Sequence, residues 1–373
     1  MKKYIQSKHN LIHLSFGLLT FSTFILSGCG GGGNSSNDPY YSPDPSAPVS
    51  GFNPVQALDQ VIQTLTKDAF AIDAPFASSA ALIAPYKNEL ITIKNPVAFR
   101  KKLNEILFST FGVSHVYLSQ PDFGKGVSHA PLPFAPDDPR FNHTRANGPP
   151  TLEYRNEPGF GIVAILNIPT FMDSYNEILV ESYITQARSC KFLIINLQDN
   201  SGGYVHKQKH LLNQILADNT CIGYEIQKSL FEQYLAAGGN RFNYPGVISH
   251  GKSSSSTGFL RETSINLRGQ FPKRIAVLIN EGTASSGEVV AAALQENMNA
   301  FLVGKKSCGA VLTAITKQIP GASFTYPISD FLTSLGKRIE KNPIRPDVAV
   351  SGFANMKEES IQETIREYKR LHP

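Results

Sequence analysis

The stretch Ile275-Ala-Val-Leu-Ile-Asn-Glu-Gly-Thr-Ala-Ser-Ser-Gly-Glu-Val-Val290 combines an apolar run, a turn of small residues and the start of a helix. Five consecutive apolar residues predict a short strand that is covered on both faces. Ser285 then lies at the N-terminus of a helix predicted over Glu288–Gln295, where unpaired backbone N–H groups and the helix dipole stabilise an oxyanion. A serine here is also typical of an ordinary N-cap, which would give Ser285 or Ser286 a purely structural role.

Apolar strands and helices alternate on both sides of this stretch. A helix is predicted over Asp173–Arg188, and the spacing of Ile361, Ile365 and Tyr368 predicts a C-terminal helix. Further strands are predicted over Phe160–Ile168, Phe192–Leu197 and Ala300–Val303. This alternation is typical of α/β layering.

The chain ahead of these strands has a different pattern. The apolar residues Leu58, Val61 and Leu65 predict one helix, and Asn95-Pro96 predicts the cap and first turn of another. A segment rich in Pro, Asp, Asn and Gly follows, which predicts a long loop. We therefore divide the folded part into an N-terminal helical subdomain, a loop region and an α/β core, over residues 51–118, 119–158 and 159–373.

The composition is that of a globular protein without a strong charge. The chain has 373 residues, of which 41% are hydrophobic and 17% are charged, and its formal net charge is +5. Lys2, Lys3 and Lys8 supply three of these positive charges, so the rest of the chain is close to neutral. Because no run is rich in lysine and arginine, we do not expect nucleic acid as a partner.

The N-terminus has the pattern of an export signal that ends in a lipidated cysteine. Two lysines precede a mostly apolar stretch over residues 11–26, which is shorter than a membrane-spanning helix. Residues 26–29, Leu-Ser-Gly-Cys, resemble the bacterial lipobox, in which the cysteine is acylated and becomes the first mature residue. We expect a lipoprotein signal peptide over residues 1–28 and a lipid anchor at Cys29. The alternative is an ordinary signal peptide followed by an unmodified cysteine.

The expected location is the cell envelope. Residues 29–50 continue with four glycines and many Asn, Ser, Asp and Pro residues, so they predict a flexible tether. By resemblance to bacterial lipoproteins, Gly30 in place of an aspartate favours sorting to the outer membrane, facing the periplasm, if the source is Gram-negative. Cys190, Cys221 and Cys308 remain, and an oxidising compartment permits one disulfide whose partners stay open.

Three further segments carry residues suited to catalysis. The stretch Phe192–Gly203 ends in Asn-Ser-Gly-Gly, where backbone N–H groups can approach a substrate carbonyl. Ser114-His115 follows the second predicted helix, and its imidazole can serve as a general base. A second Val-Ser-His tripeptide ends at His129, which we rank below His115 because a loop follows it. Glu340 has no distinctive context, and each of these segments by itself also fits a structural role.

Five blocks occur in order along the chain. The first is Gly-x-Ser-His at Gly112–His115, and the second is Asn-Leu-x-x-Asn-x-Gly-Gly at Asn196–Gly203. The third is Thr-Ala-Ser-x-x-Glu at Thr283–Glu288. The last two are a Val-Gly block at Ala300–Gly309 and a Glu-to-Pro-Asp block at Glu340–Asp347. In this order they resemble the tail-specific, or C-terminal processing, serine peptidases, a family that includes the tricorn protease core. The resemblance covers about residues 97–350.

The resemblance implies a ClpP- and crotonase-like layered α/β core and the hydrolysis of peptides or unfolded proteins. Ser285 would attack the scissile carbonyl, and His115 would take its proton and return it to the leaving amine. Ser114 and Glu340 would orient and support the imidazole.

The resemblance also implies an oxyanion hole and no cofactor. The N–H of Ser286 and one N–H from Gly202 or Gly203 would hold the oxyanion. No metal is needed for this chemistry. His206 and His210 are four residues apart, but they lack the glutamate of a His-Glu-x-x-His zinc motif.

The chain departs from the family at several positions. In one branch a lysine after the nucleophile helix is the base, but Ala310 stands at that position. The presence of His115 and Glu340 matches instead the tricorn-type Ser-His-Ser-Glu tetrad. Asn196 and Gln198 replace the Asp and Arg of the family.

These departures leave two other hypotheses open. A catalytically inactive relative would bind peptides or apolar ligands in the same cleft. A crotonase-type acyl-CoA enzyme would share the fold, but the export signal argues against it because coenzyme A is cytosolic.

Residues 119–158 are also too few for the PDZ domain that many members insert, which leaves recognition of C-termini open. The sequence does not predict the oligomeric state.

Overall fold

The computed structural model describes residues 51–121, 133–135, 146–253, 259–265, 269–352 and 356–371. The expected signal peptide, tether and anchor at Cys29 lie outside these residues, and so does His129. The helices are α1 (Pro54–Lys67), α2 (Ser79–Ile83), α3 (Lys87–Leu90), α4 (Pro96–Phe111), α5 (Glu177–Ala187), α6 (Val205–Asn213), α7 (Lys228–Ala236), α8 (Tyr244–Ser253), α9 (Ser286–Met298) and α10 (Met356–Leu371). The strands are β1 (Tyr117–Ser119), β2 (Thr151–Glu157), β3 (Gly161–Asn167), β4 (Phe192–Asn196), β5 (Cys221–Gln227), β6 (Phe259–Thr263), β7 (Ile275–Ile279), β8 (Phe301–Gly304), β9 (Leu312–Ile319), β10 (Ala322–Thr333) and β11 (Val348–Ala349).

Six strands form the central sheet in the order β11-β8-β7-β4-β3-β2. Five of them are parallel, and β2 pairs antiparallel with β3 at one edge. Because parallel strands end at the same edge of a sheet, the turns that follow β4 and β7 come together. The N–H of Leu197 donates to the carbonyl of Leu278 at 2.9 Å, which joins these two strand ends directly.

Helices cover both faces of the central sheet, which explains its apolar strands. Ile194 packs with Ile361, Ile365 and Tyr368 of α10 on one face. Ile195, the next residue along β4, packs on the other face with residues of α5, α6 and α9. Because successive side chains of a strand point to opposite faces, a strand covered on both sides is apolar throughout. The predicted α/β layering and C-terminal helix are confirmed.

A second sheet carries the N-terminal helices. Its strands run in the order β1-β10-β5-β6, and β9 also pairs with β10. Leu58 of α1 and Leu103 of α4 belong to a buried cluster with Phe324 of β10. As predicted, α4 follows Asn95, whose Oδ1 accepts two N–H groups of the first turn. It ends at Gly112 with a φ of +59°, which is a left-handed helix cap.

One part of the predicted loop region is wrong. Residues 151–157 form β2, which pairs with β3 along its full length. This edge strand is polar and mostly exposed, so it lacks the apolar alternation by which a strand is recognised in a sequence. Cys190, Cys221 and Cys308 form no disulfide with one another. In the described part of the chain, no helix has both the length and the apolar character needed to cross a membrane.

Candidate active site

Ser285 lies between β7 and α9, at the carboxyl edge of the central sheet. The preceding turn is tied to the end of β4, since Thr283 Oγ1 donates to the carbonyl of Leu197 at 2.7 Å. Ser285 has a φ of +52° and a ψ of −121°. This backbone conformation is energetically unfavourable for any residue other than glycine. Its N–H donates to the carbonyl of Ala310 at 3.0 Å. The surrounding turns therefore hold the serine in a strained, defined position.

The glycine turn after β4 lies directly against Ser285. A Cβ on Gly202 would come within 2.7 Å of the Ser285 Cβ, so only glycine fits there. A Cβ on Gly203 would lie 2.3 Å from the carbonyl carbon of Phe171. Ser286 Oγ donates to the carbonyl of Gly203 at 3.0 Å, which joins this turn to the first residue of α9.

Of the two glycine N–H groups considered for the oxyanion hole, the structure favours that of Gly203. The N–H of Gly202 donates to Asn200 Oδ1 at 2.8 Å, so it is not available to a substrate. The N–H groups of Gly203 and Ser286 have no hydrogen-bond acceptor among the described residues. Both residues line the cavity that contains Ser285, so their N–H groups are placed to receive a substrate oxygen.

Ser114 and His115 follow α4, directly after the turn at Gly112. The N–H of His115 donates to the carbonyl of Pro133 at 2.7 Å. Both side chains are buried, each with 2% of its surface exposed. Because burial disfavours the charged imidazolium, the pKa of His115 falls to about 3. The ring is therefore neutral at physiological pH and able to accept a proton.

A chain of hydrogen bonds connects Glu340 to His115 through Ser114. Ser114 Oγ donates to Glu340 Oε2 at 2.8 Å and lies 2.7 Å from His115 Nδ1. Since the carboxylate takes the hydroxyl proton, the serine oxygen accepts a hydrogen bond from Nδ1–H. The proton of the neutral ring is then on Nδ1, and the lone pair of Nε2 is left for another donor.

Glu340 is buried and held by backbone donors. Its carboxylate accepts hydrogen bonds from the N–H groups of Ser114 at 2.7 Å and Val311 at 2.8 Å. Burial raises the pKa of Glu340 to about 7, although the hydrogen bonds from Ser114 oppose the rise. Two residues earlier, Arg338 Nη2 donates to Asp330 Oδ2 at 2.7 Å, which anchors this segment to β10.

Four of the predicted site residues line one cavity of about 180 Å³. His115, Ser285, Ser286 and Gly203 all line it. Apolar side chains from α9, β9 and β10 form much of the remaining wall. The structure thus brings together at one cavity residues that the sequence predicts as nucleophile, base and oxyanion donors, and it places Ser114 and Glu340 directly behind His115.

The model of peptidase family S41 matches residues 162–350, just over half of the chain. The chain belongs to peptidase family S41. A carboxyl-terminal-processing protease of a Picosynechococcus strain is 27% identical over 172 residues, which are 45% of this chain and 34% of that protein. The chain therefore spans about a third of the length of this curated relative.

Solved structures show the same fold. A candidate peptidase from Parabacteroides merdae has a TM-score of 0.57 and 16% identity, over 84% of this chain and 96% of that one. A lipoprotein from Streptococcus agalactiae has a TM-score of 0.52 and 16% identity, over 86% of this chain and 98% of that one. At these identities the likeness concerns the fold alone, and it confirms the layered core with an N-terminal helical part.

Two departures from the S41 pattern point away from the cavity. Asn196 Nδ2 donates to Asn167 Oδ1 at 3.1 Å, within the central sheet. Gln198 Nε2 donates to Ser360 Oγ at 3.1 Å, on α10. Neither residue lines the cavity that contains Ser285. These substitutions therefore leave the walls of the site unchanged and give little support to an inactive S41 relative.

A third departure lies beside Ser285. The carbonyl of Ala310 accepts the N–H of Ser285 at 3.0 Å, so the position aligned with the family's lysine lies next to Ser285. The side chain at that position is a methyl group, and no lysine or arginine among the described residues lines the cavity. His115, which lines this cavity, is suited to act as a base.

The structural role of Glu288 was not predicted from the sequence. This carboxylate is fully buried and accepts N–H groups from Ser285 at 3.2 Å, Gly309 at 2.7 Å and Ala310 at 2.9 Å. Ser307 Oγ also donates to it at 2.5 Å. Burial raises the pKa of Glu288 to about 7. The signal was present in the sequence, because Ser-x-x-Glu at a helix start is a capping-box pattern.

Proposed function

We propose that this chain is a serine peptidase that hydrolyses peptide bonds through an acyl-enzyme at Ser285, with His115 as the general base. The observation that supports it most is the hydrogen-bond chain from Glu340 through Ser114 to His115, which ends in the cavity containing Ser285. Membership of peptidase family S41 supports the same class of reaction.

Acylation begins at the Ser285 hydroxyl. Its oxygen attacks the scissile carbonyl while its proton passes to Nε2 of His115. The depressed pKa of His115 keeps the ring ready to accept this proton, but it also makes the imidazolium costly. The carboxylate of Glu340, acting through Ser114, offsets this cost because it places a negative charge next to the newly charged ring.

The N–H groups of Gly203 and Ser286 hold the carbonyl oxygen as it gains negative charge. Ser286 is the first residue of α9, so the positive end of the helix dipole adds to this stabilisation. His115 then returns the proton to the leaving amine and activates a water molecule, which hydrolyses the ester at Ser285. These steps require no metal or other cofactor.

Hydrolysis of unfolded casein by the full chain tests this proposal. We expect cleavage by the wild type and by Ser182→Ala, which removes an exposed hydroxyl from α5. We expect none by Ser285→Ala. Equal cleavage by wild type and Ser285→Ala would overturn the assignment of the nucleophile, and a wild type that binds casein without cleaving it would favour the inactive-relative hypothesis.

We also propose that the enzyme is anchored in the cell envelope through a lipid on Cys29, on the outer membrane facing the periplasm. The apolar stretch over residues 11–26 and the Leu-Ser-Gly-Cys sequence at 26–29 support this location. The four glycines that follow would let the catalytic part reach unfolded substrates at a distance from the membrane surface.

A further inference from the structure

A carboxylate lies in the wall of the cavity next to Ser285. Glu225 of β5 lines the same cavity as Ser285 and His115. Among the described residues, no other acidic side chain and no lysine or arginine lines it. Glu225 therefore dominates the electrostatic character of the space that a substrate side chain would enter.

Strand pairing directs the Glu225 side chain. Phe331 of β10 lies directly opposite Glu225, so the two side chains point to the same face of the sheet. Ser329, two residues before Phe331, donates a hydrogen bond from Oγ to Glu225 Oε1. Within the described part of the chain, Glu225 forms no ion pair, and its second carboxylate oxygen accepts no hydrogen bond. One oxygen is thus fixed in place and the other is available to a ligand.

The surroundings of Glu225 suit the stem of a long basic side chain. Val289 of α9, Leu312 of β9 and Phe331 supply apolar wall, and Gln208 of α6 supplies a buried neutral amide. Lysine and arginine pack their methylene groups on apolar surface and extend a cationic head to a carboxylate. A neutral side chain in the same space would remove water from the carboxylate without replacing its hydrogen bonds.

We propose that Glu225 selects substrates that carry a lysine or arginine side chain next to the scissile bond. This inference rests on the peptidase function proposed above and names its substrate class. The same carboxylate repels a free C-terminal carboxylate, so a substrate whose C-terminus would enter this cavity is disfavoured. Glu225 is a specificity-determining residue, and the chemistry at Ser285 does not require it.

The first test maps cleaved bonds in unfolded casein by mass spectrometry, with the full-length wild type and Glu225→Gln. We expect the wild type to cleave next to Lys or Arg roughly 10- to 100-fold more efficiently than next to Leu or Met. Glu225→Gln keeps an acceptor for Ser329. We expect the ratio of cleavage next to Lys or Arg to cleavage next to Leu or Met to fall close to one in this variant. Glu105→Gln is the matched control, because it removes an exposed carboxylate of α4 that lines no cavity together with Glu225, and it should leave this ratio unchanged.

A binding test separates this proposal from the peptidase function. Calorimetry on full-length Ser285→Ala compares two acetylated tetrapeptide amides, Ala-Ala-Lys-Ala and Ala-Ala-norleucine-Ala. We expect tighter binding of the lysine peptide, and loss of the difference when Glu225→Gln is added. If the wild type cleaves nothing, the peptidase function fails and this comparison alone decides the role of Glu225. Equal affinities, no binding of either peptide, or a preference that survives Glu225→Gln would overturn the proposal.

Discussion

The two halves of the site are built in different ways. The nucleophile half comes from one continuous strand, turn and helix over residues 275–298, with the glycine turn after β4 packed against it. The base half joins Ser114-His115, which follows the N-terminal helices, to Glu340, which is 226 residues away from Ser114 in the chain. The local sequence determines the structure of the nucleophile half, whereas the base half forms only when the tertiary fold brings distant residues together.

The two halves should differ in how sensitive they are to single substitutions. The strands of the central sheet position Ser285 through many backbone hydrogen bonds, so its placement survives the loss of single side chains. The base half rests on a few buried polar contacts among Ser114, His115 and Glu340. Since members of a buried polar network depend on one another, single substitutions there should lower activity strongly.

The largest effect is expected at the base. His115→Ala removes the proton acceptor, and we expect kcat/KM to fall by roughly 10⁴–10⁶-fold, as in other serine peptidase triads. His129→Ala, the matched variant in the second Val-Ser-His tripeptide, should change it little. Peptide hydrolysis with circular dichroism as a folding control measures both. Equal losses at the two positions would contradict the assignment of His115 as the base.

The nucleophile half could be predicted from local sequence, and the base half could not. The strand over 275–279 and the helix after Ser285 follow from apolar runs and small turn residues, so their positions were predicted closely. The choice of His115 over His129 rested on motif context, because no local pattern encodes a bond between Ser114 and Glu340. The side chain of Glu288 was overlooked for a related reason, since its partners Ser307 and Gly309 belong to a distant turn.

The second largest effect is expected at Glu340. Glu340→Gln keeps the size of the side chain but removes its negative charge, and we expect kcat/KM to fall by roughly 10²–10⁴-fold.

The wild type should also lose activity as the pH falls through about 7, where Glu340 gains a proton. Protonated Glu340 donates to Ser114, and Ser114 then donates to His115 Nδ1. The ring proton moves to Nε2, which can no longer accept one from Ser285.

The pH dependence of kcat/KM separates this explanation from a purely structural role. Glu340→Gln cannot gain the proton, so its low activity should be flat through pH 7. Glu288 also has a pKa raised to about 7 by burial, so it is the natural rival for the same titration. An activity limb near pH 7 that persists in Glu340→Gln would assign the titration to another group and contradict the account.

A smaller effect is expected at Glu288, on the nucleophile half. Glu288→Gln replaces one carboxylate oxygen with an NH₂ group, which cannot accept a hydrogen bond. The N–H group of Gly309 or that of Ala310 then loses its acceptor, since each donates to a different oxygen of Glu288. We expect the free energy of unfolding to fall by roughly 1–3 kcal/mol. Thermal unfolding measures the change, and Glu281→Gln in the preceding turn is the control. An unchanged melting temperature would mean that Glu288 does not stabilise this half.

The smallest effect on catalysis is expected from Cys29→Ser, which lies in neither half of the site. Removal of the thiol prevents acylation, so the protein should leave the membrane fraction while its kcat/KM stays within about twofold of the wild type. Fractionation of cells followed by peptide hydrolysis measures both properties. A Cys29→Ser protein that remains in the membrane fraction would contradict the lipid anchor.

The central claim is that the two halves meet, so that His115 activates Ser285. Labelling with a fluorophosphonate, followed by mass spectrometry of the modified peptide, tests this claim most directly. We expect the wild type to be labelled at Ser285, and His115→Ala to be labelled at least 100-fold more slowly because the serine loses its base. Labelling at another serine, or at Ser285 with the same rate in both proteins, would contradict the account.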